Sequence, residues 1–280
     1  METEGAAARG FRQRAEPEAH AWLPEPRPWL PEPRAWLPTP RACALRSEGG
    51  VPPRGDGERF AGYGVIALPF AGGDILAFRR FPASSVGPGH TTIWHRYPNG
   101  AWTFYVTIDP ALCCPRYFGA AIERVVVTDI EVTWIGHDHL VLSAPDARVE
   151  WCMRIQATPS TRVVNFLAGL APRLAWRDER VLGLAGVAAG IGIGAGPMRL
   201  AGTTPNGQHF RLKPRRVWHI DASAALVEGR ELGPLGAGNG TELGDFRVPG
   251  IGLFACGDSE FERLDPQRHA TRVARSVERT

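Results

Sequence analysis

The chain has almost no lysine and no pattern of paired cysteines. Lys213 is the only lysine among 32 basic residues, so nearly every positive charge is an arginine. The five cysteines include no Cys-x-x-Cys pair and their number is odd, which argues against a disulfide framework and favours a reducing, cytoplasmic location. An apolar signal core is missing from the N-terminal residues, so secretion is not predicted.

Strong net charge and long apolar segments are also missing. The formal net charge is only +3 and the basic residues are scattered, whereas a nucleic-acid partner calls for a concentrated basic surface. The uncharged segment 181–198 is rich in glycine and alanine, so it is weakly hydrophobic for a membrane span. We therefore predict a buried helix of small residues there, and neither nucleic-acid binding nor a membrane span.

What the chain does contain divides it into three parts. The first, 1–57, holds ten of the 25 prolines and a seven-residue repeat that starts at Trp22, Trp29 and Trp36. Such spacing favours an extended, solvated chain, so we predict a disordered tail, with docking into the aromatic groove of a partner as the alternative. A single β-rich domain is predicted over 58–262, and a basic C-terminal tail over 263–280.

Two hairpins are the clearest local structure. The turn sequence Pro-Asn-Gly occurs at 98–100 and at 205–207, and it suits a three-residue connection between antiparallel strands. The register then predicts that Trp94 faces Phe104 and that Gly202 faces Phe210. Each hairpin has one apolar face, as a sheet with a buried side requires.

Alternating apolar residues predict further strands at 149–155 and 218–226. In the second of these, one set of alternate residues is predicted to point into the core: Trp218, Ile220, Ala222, Ala224 and Leu226.

A helical pair interrupts the strands near 158–195. Thr158 and Pro159 are typical of a helix start, and a second helix is predicted from Asp178 through Gly190. Val163, Phe166, Leu167 and Leu170 share one side of the first helix, and glycines at every fourth position of the second predict close packing on the sheet. The fold class is therefore α+β, mostly β: an antiparallel, partly closed sheet, a lipocalin-like barrel or sandwich, with a helical pair.

Two polar patterns lack what a catalytic or metal site needs. His137 and His139 straddle a turn, but nothing nominates a third ligand. His219, Asp221 and Ser223 share one strand face, where successive side chains stand roughly 6.5–7 Å apart, too far for a direct relay. The glycine run after the second helix also fails the spacing of a dinucleotide motif. No metal and no cofactor are predicted.

A more promising group of side chains is His95, Tyr97, Tyr105, Arg116 and Tyr117. They arise from neighbouring segments and are predicted to converge at the open end of the sheet. Polar-ended aromatic residues with one histidine and one arginine are suited to orienting a mostly apolar ligand. We take them as the candidate ligand-binding residues.

Several motifs resemble a known protein family. They are Trp-His-Arg at 94–96, Cys-Pro-Arg-Tyr-Phe-Gly at 114–119, Leu-Ala-Gly-Thr-Thr-Pro-Asn-Gly-Gln at 200–208 and Gly-Asp-Phe at 244–246. With Trp102, they are similar to a family of uncharacterised actinobacterial proteins over roughly 57–262, a resemblance that implies no activity. At the level of fold alone, the layout is remotely similar to the lipocalin-like superfamily that includes the carotenoid 1,2-hydratases.

The function that these patterns favour is the binding of an apolar, lipid- or isoprenoid-like small molecule in a β-rich pocket, because tryptophans on alternating strands suit a barrel interior. An enzyme acting on such a ligand by acid–base chemistry, with His95 or a tyrosine polarising it, is the alternative. A third possibility is an interaction module that uses the tryptophan–proline repeats. The oligomeric state is not predicted.

Overall fold

The computed structural model describes residues 38–170, 178–238 and 240–280, and these residues form a mostly β, α+β fold built on one curled sheet of 13 strands. The predicted fold class is confirmed. The first eight strands are β1 (Glu58–Pro69), β2 (Ile75–Ser84), β3 (His90–Arg96), β4 (Trp102–Val106), β5 (Arg124–Val127), β6 (Glu131–Ile135), β7 (His139–Ala144) and β8 (Val149–Gln156). The others are β9 (Ala201–Thr203), β10 (His209–Val227), β11 (Arg230–Glu231), β12 (Glu242–Leu243), β13 (Phe246–Arg247), β14 (Leu253–Phe261) and β15 (Ser276–Arg279).

Helices are few and lie between or outside the strands. They are α1 (Pro40–Glu48), α2 (Pro115–Phe118), α3 (Pro159–Leu170) and α4 (Glu179–Gly192), with short 3-10 turns at Pro110–Leu112 and Gly119–Ala121. The sheet order is β15-β5-β4-β3-β2-β1-β14-β10-β8-β7-β6, with β9 and β11 added to β10 and with β12 and β13 paired separately. The pairings are antiparallel except those of β5, which runs parallel to β4 and to β15.

Both predicted hairpins are confirmed in their register. Trp94 faces Phe104 and their rings stack 4.5 Å apart, while Gly202 faces Phe210. The third turn residue of each hairpin, Gly100 or Gly207, has a φ of 92°, a conformation that a residue with a Cβ rarely adopts.

The sheet curls into an open half-barrel, so that side chains from distant strands meet on one of its faces. Trp134 of β6, at one edge, packs its ring 5.7 Å from Phe254 of β14 near the middle of the sheet. The enclosed face is filled with side chains, among them Trp151, Phe78 and Trp218, each at most 3% exposed. The tryptophan-lined interior therefore forms a packed core, and it does not form the ligand chamber that the strand pattern suggested.

A β-bulge in β10 changes which residues of this long strand face the core. The register slips by one residue between Ile220 and Ala222 relative to β8. Because a one-residue slip moves every later side chain to the other face, Ala225 and Val227 are buried, and the predicted Ala224 and Leu226 are only half-buried. The inward prediction is correct up to Ile220 and wrong after it.

Regular structure also occurs in both predicted tails. Thr39 caps α1 by accepting a hydrogen bond from the Ala42 amide at 3.1 Å, and Ala44 of this helix is fully buried against the sheet. At the other end, β15 extends the sheet beside β5. The predicted disorder therefore does not describe α1, whereas the tryptophan–proline repeats up to residue 37 lie outside the described residues. The three-part division itself stays a prediction.

The helical pair is present where it was predicted, but α3 presents its apolar side differently. Val163, Phe166, Leu167 and Leu170 are all more than half exposed, and the buried residues of α3 are Thr161 and Asn165. The side of α3 that faces the sheet carries the buried Thr161 and Asn165, with Val164 packed beside Leu253. In the described part of the chain no helix combines the length and the apolar character needed to cross a membrane.

The glycine stripe of α4 does allow close packing, against the chain that follows the helix. A Cβ on Gly186 would lie 2.5 Å from the carbonyl oxygen of Met198, and one on Gly190 would lie 2.1 Å from that of Gly196. These distances are too short for any side chain. The stripe therefore brings α4 onto the segment 196–200 that leads into β9.

This packing predicts opposite effects for two glycine substitutions in one helix. Gly190→Ala should lower the free energy of unfolding by about 1–3 kcal/mol because backbone must move. Gly183→Ala is the matched control, since nothing lies within 4 Å of its Cβ position. It should raise stability by about 0.5–1 kcal/mol through helix propensity. Denaturant unfolding of both variants measures the difference, and equal effects would contradict the packing described.

Candidate functional site: a cavity roofed by two helices

A cavity of about 620 Å³ lies on the outer face of the curled sheet, beneath the helical pair. Strands β1, β2, β14 and β10 form its floor, and α3 and α4 form its roof. Aromatic side chains bound it: Phe60, Trp94, Tyr117, Phe210, Phe246 and Phe261. We call it the roofed cavity.

Small residues on two neighbouring strands make room for this cavity. Gly62 pairs with Gly257, and Gly64 pairs with Ala255, so four small residues lie side by side on the floor. A Cβ on Gly64 would lie 2.0 Å from the carbonyl oxygen of Phe78, which excludes any side chain there. The strands thus approach closely while the space above them stays open.

One asparagine links the roof to the floor by hydrogen bonds on both sides of its amide group. Asn165 of α3 donates its amide N–H to the carbonyl of Val217 and accepts a hydrogen bond from the Val217 amide, both at 2.8 Å. Arg216 also donates to the Asn165 carbonyl at 2.9 Å. Val217 lies just after a register shift between Pro214 and Arg216, and the asparagine pairs with its backbone much as a neighbouring strand would.

Arg79 places a positive charge in this apolar surrounding. Its guanidinium lies 4.7 Å from the ring centroid of Trp94 and 5.6 Å from that of Phe246. Burial lowers the pKa of Arg79 to about 10, so the group stays protonated at neutral pH. Lys213, by contrast, also lines the cavity but is paired with Glu260 at 3.3 Å.

A neutral histidine and a buried thiol also contact the cavity. Burial lowers the pKa of His90 to about 4, and its Nε2 has no partner among the described residues, while Nδ1 lies 3.3 Å from the carbonyl of Pro88. Burial raises the pKa of Cys114, whose sulfur lies 3.3 Å from the Thr92 hydroxyl. A thiol in this state is a packing group and a poor nucleophile.

The structure separates the five predicted site residues into two groups. Tyr117 lines the roofed cavity, and its hydroxyl donates to Glu58 at 2.6 Å. Arg116 donates twice to the same carboxylate, at 2.7 and 2.8 Å. Burial acts to raise the pKa of Glu58, but the bonds from Arg116, Tyr117 and the Leu264 amide outweigh it and lower the pKa. This network fixes α2 at the end of the cavity.

The other three predicted residues lie on the inner face of the sheet. His95 is fully buried and contacts Asp74 at 2.8 Å, and Asp74 in turn accepts two bonds from Arg230. Burial lowers the pKa of His95. Burial also acts to raise the pKa of Asp74, but the bonds from Arg230 and His95 overcome this and lower it.

Tyr97 and Tyr105 both donate to Glu228, at 2.8 and 3.4 Å. Strand alternation explains the separation from Tyr117, because His95 and Trp94 are neighbours in β3 and must point to opposite faces. The predicted convergence of all five residues is therefore wrong. Their role in ligand binding stays a prediction.

Three residues that line the cavity were not predicted from the sequence: Arg79, His90 and Asn165. Arg79 had a detectable signal, since it alternates with Ile75, Ala77 and Phe81 and is thus a charged residue on the apolar face of a strand. Asn165 is a lone polar residue among the apolar positions of a helix. His90 had no signal, because its burial depends on the packing of Phe60 and Phe81 around it.

Comparisons with known proteins identify no family. No family model matches the chain, and no curated protein does. The resemblances to the actinobacterial family and to the carotenoid hydratase superfamily are therefore unsupported and stay predictions.

Across the residues that the structure describes, no group of three or more histidine, cysteine or acidic side chains is placed to hold a metal ion.

Two solved structures are similar over much of their length. One is an acetoacetate decarboxylase from Legionella pneumophila subsp. pneumophila str. Philadelphia 1, at 11% identity and a TM-score of 0.36, over 86% of this chain and 92% of that chain. The other is also an acetoacetate decarboxylase, at 12% identity and a TM-score of 0.37, over 75% and 88%. Both TM-scores are below 0.5, so these likenesses define neither the fold family nor the activity of this chain.

The asparagine contact predicts a specific weak point in the roof. Asn165→Ala leaves the buried N–H and carbonyl of Val217 unpaired, which should cost about 1–3 kcal/mol of unfolding free energy. Amide exchange at Val217 should also accelerate. The control is Phe166→Ala, since this neighbouring side chain is 67% exposed and its loss should change stability by less than about 0.5 kcal/mol. An unchanged exchange rate in Asn165→Ala would contradict this attachment.

The buried His90 predicts a loss of stability in acid. Its pKa is about 4 in the folded protein and about 6.5 when unfolded, so the unfolded state binds the extra proton between these values. This contribution to stability is complete above pH 6.5 and falls by about 1.4 kcal/mol per unit as the pH drops toward 4. NMR titration of the His90 ring should give a midpoint near 4, and His90→Phe should reduce the slope of stability against pH. A midpoint near 6.5 would refute the assignment.

Proposed function

We propose that this protein binds an apolar, lipid- or isoprenoid-like small molecule in the roofed cavity. The observation that carries the proposal is the apolar lining of a space of about 620 Å³. Ligand pockets commonly measure about 300–1,000 Å³ and bury most of a drug-sized molecule. Protein interiors otherwise contain few voids larger than a water molecule.

The lining of the cavity determines what can fill it. Apolar walls give water too few hydrogen-bond partners, and an empty space deprives the lining side chains of dispersion contacts. An apolar molecule supplies those contacts and brings few polar groups of its own that would need partners. The cavity therefore favours a mostly hydrocarbon ligand over a sugar or a nucleotide, which would need many more hydrogen-bond partners.

The roof also provides a path for the ligand. Val163 and Leu167 of α3 and Val181 of α4 line the cavity and are at least 40% exposed. We propose that the ligand enters beside these side chains, where the apolar lining is accessible. The roof contacts the sheet through the hydrogen bonds of Asn165, the contact of Glu179 with His209 at 2.9 Å and a small apolar cluster around Leu253.

Two other functions have weaker support. The acid–base alternative used His95 or a tyrosine. His95 lies on the inner face of the sheet, away from the cavity, and Tyr117, which lines the cavity, donates its hydroxyl to Glu58 at 2.6 Å. The interaction-module alternative rests on tryptophan–proline repeats that lie outside the described residues. We therefore retain ligand binding as the proposed function.

The proposal predicts that filling the cavity abolishes binding. Ala255 lies on the floor between Gly64 and Val217, so the indole of Ala255→Trp should occupy the space of a ligand. Thr133→Trp is the control, because Thr133 is exposed on β6. Diphenylhexatriene, a neutral apolar fluorophore, should bind wild type and the control in a one-to-one ratio, with at least tenfold weaker binding to Ala255→Trp.

Native mass spectrometry after exposure to a lipid extract should show retained ligand in the same two proteins. Circular dichroism checks that Ala255→Trp folds, and Ser259→Phe offers a second way to fill the cavity if it does not. Equal binding to all variants, or no binding to wild type, would refute the proposed function.

A further inference from the structure

The environment of Arg79 indicates what kind of apolar molecule the roofed cavity takes. Arg79 lies on the outward face of β2, in line with the apolar residues Ile75, Ala77 and Phe81. Its guanidinium packs against the rings of Trp94 and Phe246, which contact each other edge to face, and Arg79 lines the cavity. A neutral ligand would leave this cation without an anion in the cavity.

The hydrogen bonds of Arg79 leave part of the guanidinium free. Nη1 donates to the carbonyls of Val65 and Phe78, and Nη2 donates to the carbonyl of Ile66 at 3.1 Å. A guanidinium has five N–H donors, so Nε and one hydrogen of Nη2 keep no partner among the described residues. These two nitrogens share one edge of the planar group, the fork that binds a carboxylate with two parallel bonds.

The charge of Arg79 is also uncompensated. Within the described ranges no carboxylate lies within ion-pair distance of it, whereas three other charged groups on the lining are paired: Lys213 with Glu260, Arg199 with Asp245 and Asp258 with Arg215. Arg247, also on the lining, has no ion pair with a described residue. A buried cation without an anion is costly, and backbone carbonyls offset only part of that cost.

We propose that the ligand of the roofed cavity is an apolar anion, a long-chain carboxylate, whose carboxylate binds the free edge of Arg79. This inference rests on the proposed function and names its ligand class. The alkyl chain lies over the glycine-lined floor, and the head group forms two charge-assisted hydrogen bonds with Nε and Nη2. The rings of Trp94 and Phe246 hold the guanidinium plane in place for this contact.

A purely structural role for Arg79 makes a different prediction. The carbonyls of Val65 and Ile66 lie at an irregularity in the pairing of β1 with β2, and Arg79 satisfies them. If that were its whole purpose, removing the charge would destabilise the protein without changing which ligands it prefers. The test must therefore read ligand preference and not stability alone.

The experiment compares hexadecanoate with hexadecanol, which share a chain length and differ in charge, by displacement of diphenylhexatriene at pH 8. Wild type should bind the carboxylate about tenfold or more tightly than the alcohol. Arg79→Met should lose this preference and keep its affinity for the alcohol. Arg80→Met is the matched control, because Arg80 is the next residue of the same strand and points to the other face, where it pairs with Glu48. It should keep the wild-type preference.

Each other outcome has a definite meaning. If wild type binds neither compound, the proposed function fails. If wild type binds both equally, or if Arg79→Met keeps the preference, the inference fails while the cavity stands. Loss of the preference in Arg247→Met alone would assign the head group to Arg247 and overturn the role of Arg79.

A second measurement covers the case in which Arg79→Met does not fold. In wild-type protein labelled with nitrogen-15, the Nε–H resonance of Arg79 should shift on addition of hexadecanoate and should not shift with hexadecanol. A shift of equal size with both compounds would refute the contact.

Discussion

The curl of the sheet is the constraint on which the rest of this structure depends. Because the sheet curls, Trp134 at one edge contacts Phe254 near the middle, and the apolar side chains of this face pack together as a core. The opposite face is also apolar on β1, β2 and β14, and it must be covered by other elements because an exposed apolar sheet face is unstable in water. The roofed cavity results from the way in which α3 and α4 provide that cover.

The roof covers this face incompletely because polar contacts hold it in place. Asn165 completes the hydrogen bonding of Val217, and the glycines of α4 bring that helix onto the segment before β9. Neither contact presses the long side chains of the helices into the floor, so Phe166 and Leu184 remain exposed. The centre of the floor consists of glycine and alanine, whose small side chains leave space beneath the helices. An attachment of this kind is compatible with a space that opens and closes around a guest.

Arg79 combines structure and chemistry in one residue. Three of its donors satisfy carbonyls at an irregular part of β1 and at its own strand, which fixes the position of the guanidinium. The fixed position then presents the remaining edge to the cavity, without the loss of side-chain freedom that a flexible cation would suffer on binding. Its pKa is lowered by burial to about 10, yet the charge persists at neutral pH, and the proposed carboxylate ligand would bind a guanidinium that is already held in position.

Local sequence determined much of this fold. The Pro-Asn-Gly turns specified two hairpins and their registers. Alternation of apolar residues placed Trp151 and Trp218 in the core, and Thr158 with Pro159 marked the start of α3. Each of these signals acts between residues that are near in sequence, which is why the sequence predicts them. Tertiary structure decided the rest. The bulge after Ile220 reversed which residues of β10 face the core. The curl of the sheet brought side chains together as a packed core where a chamber was predicted. His95 and Tyr117 are apart because His95 points to the inner face of the sheet and Tyr117 lines the cavity on the outer face. Those choices depend on contacts between residues far apart in the chain. The roofed cavity, with Arg79 and Asn165 on its lining, is therefore defined only by the assembled strands.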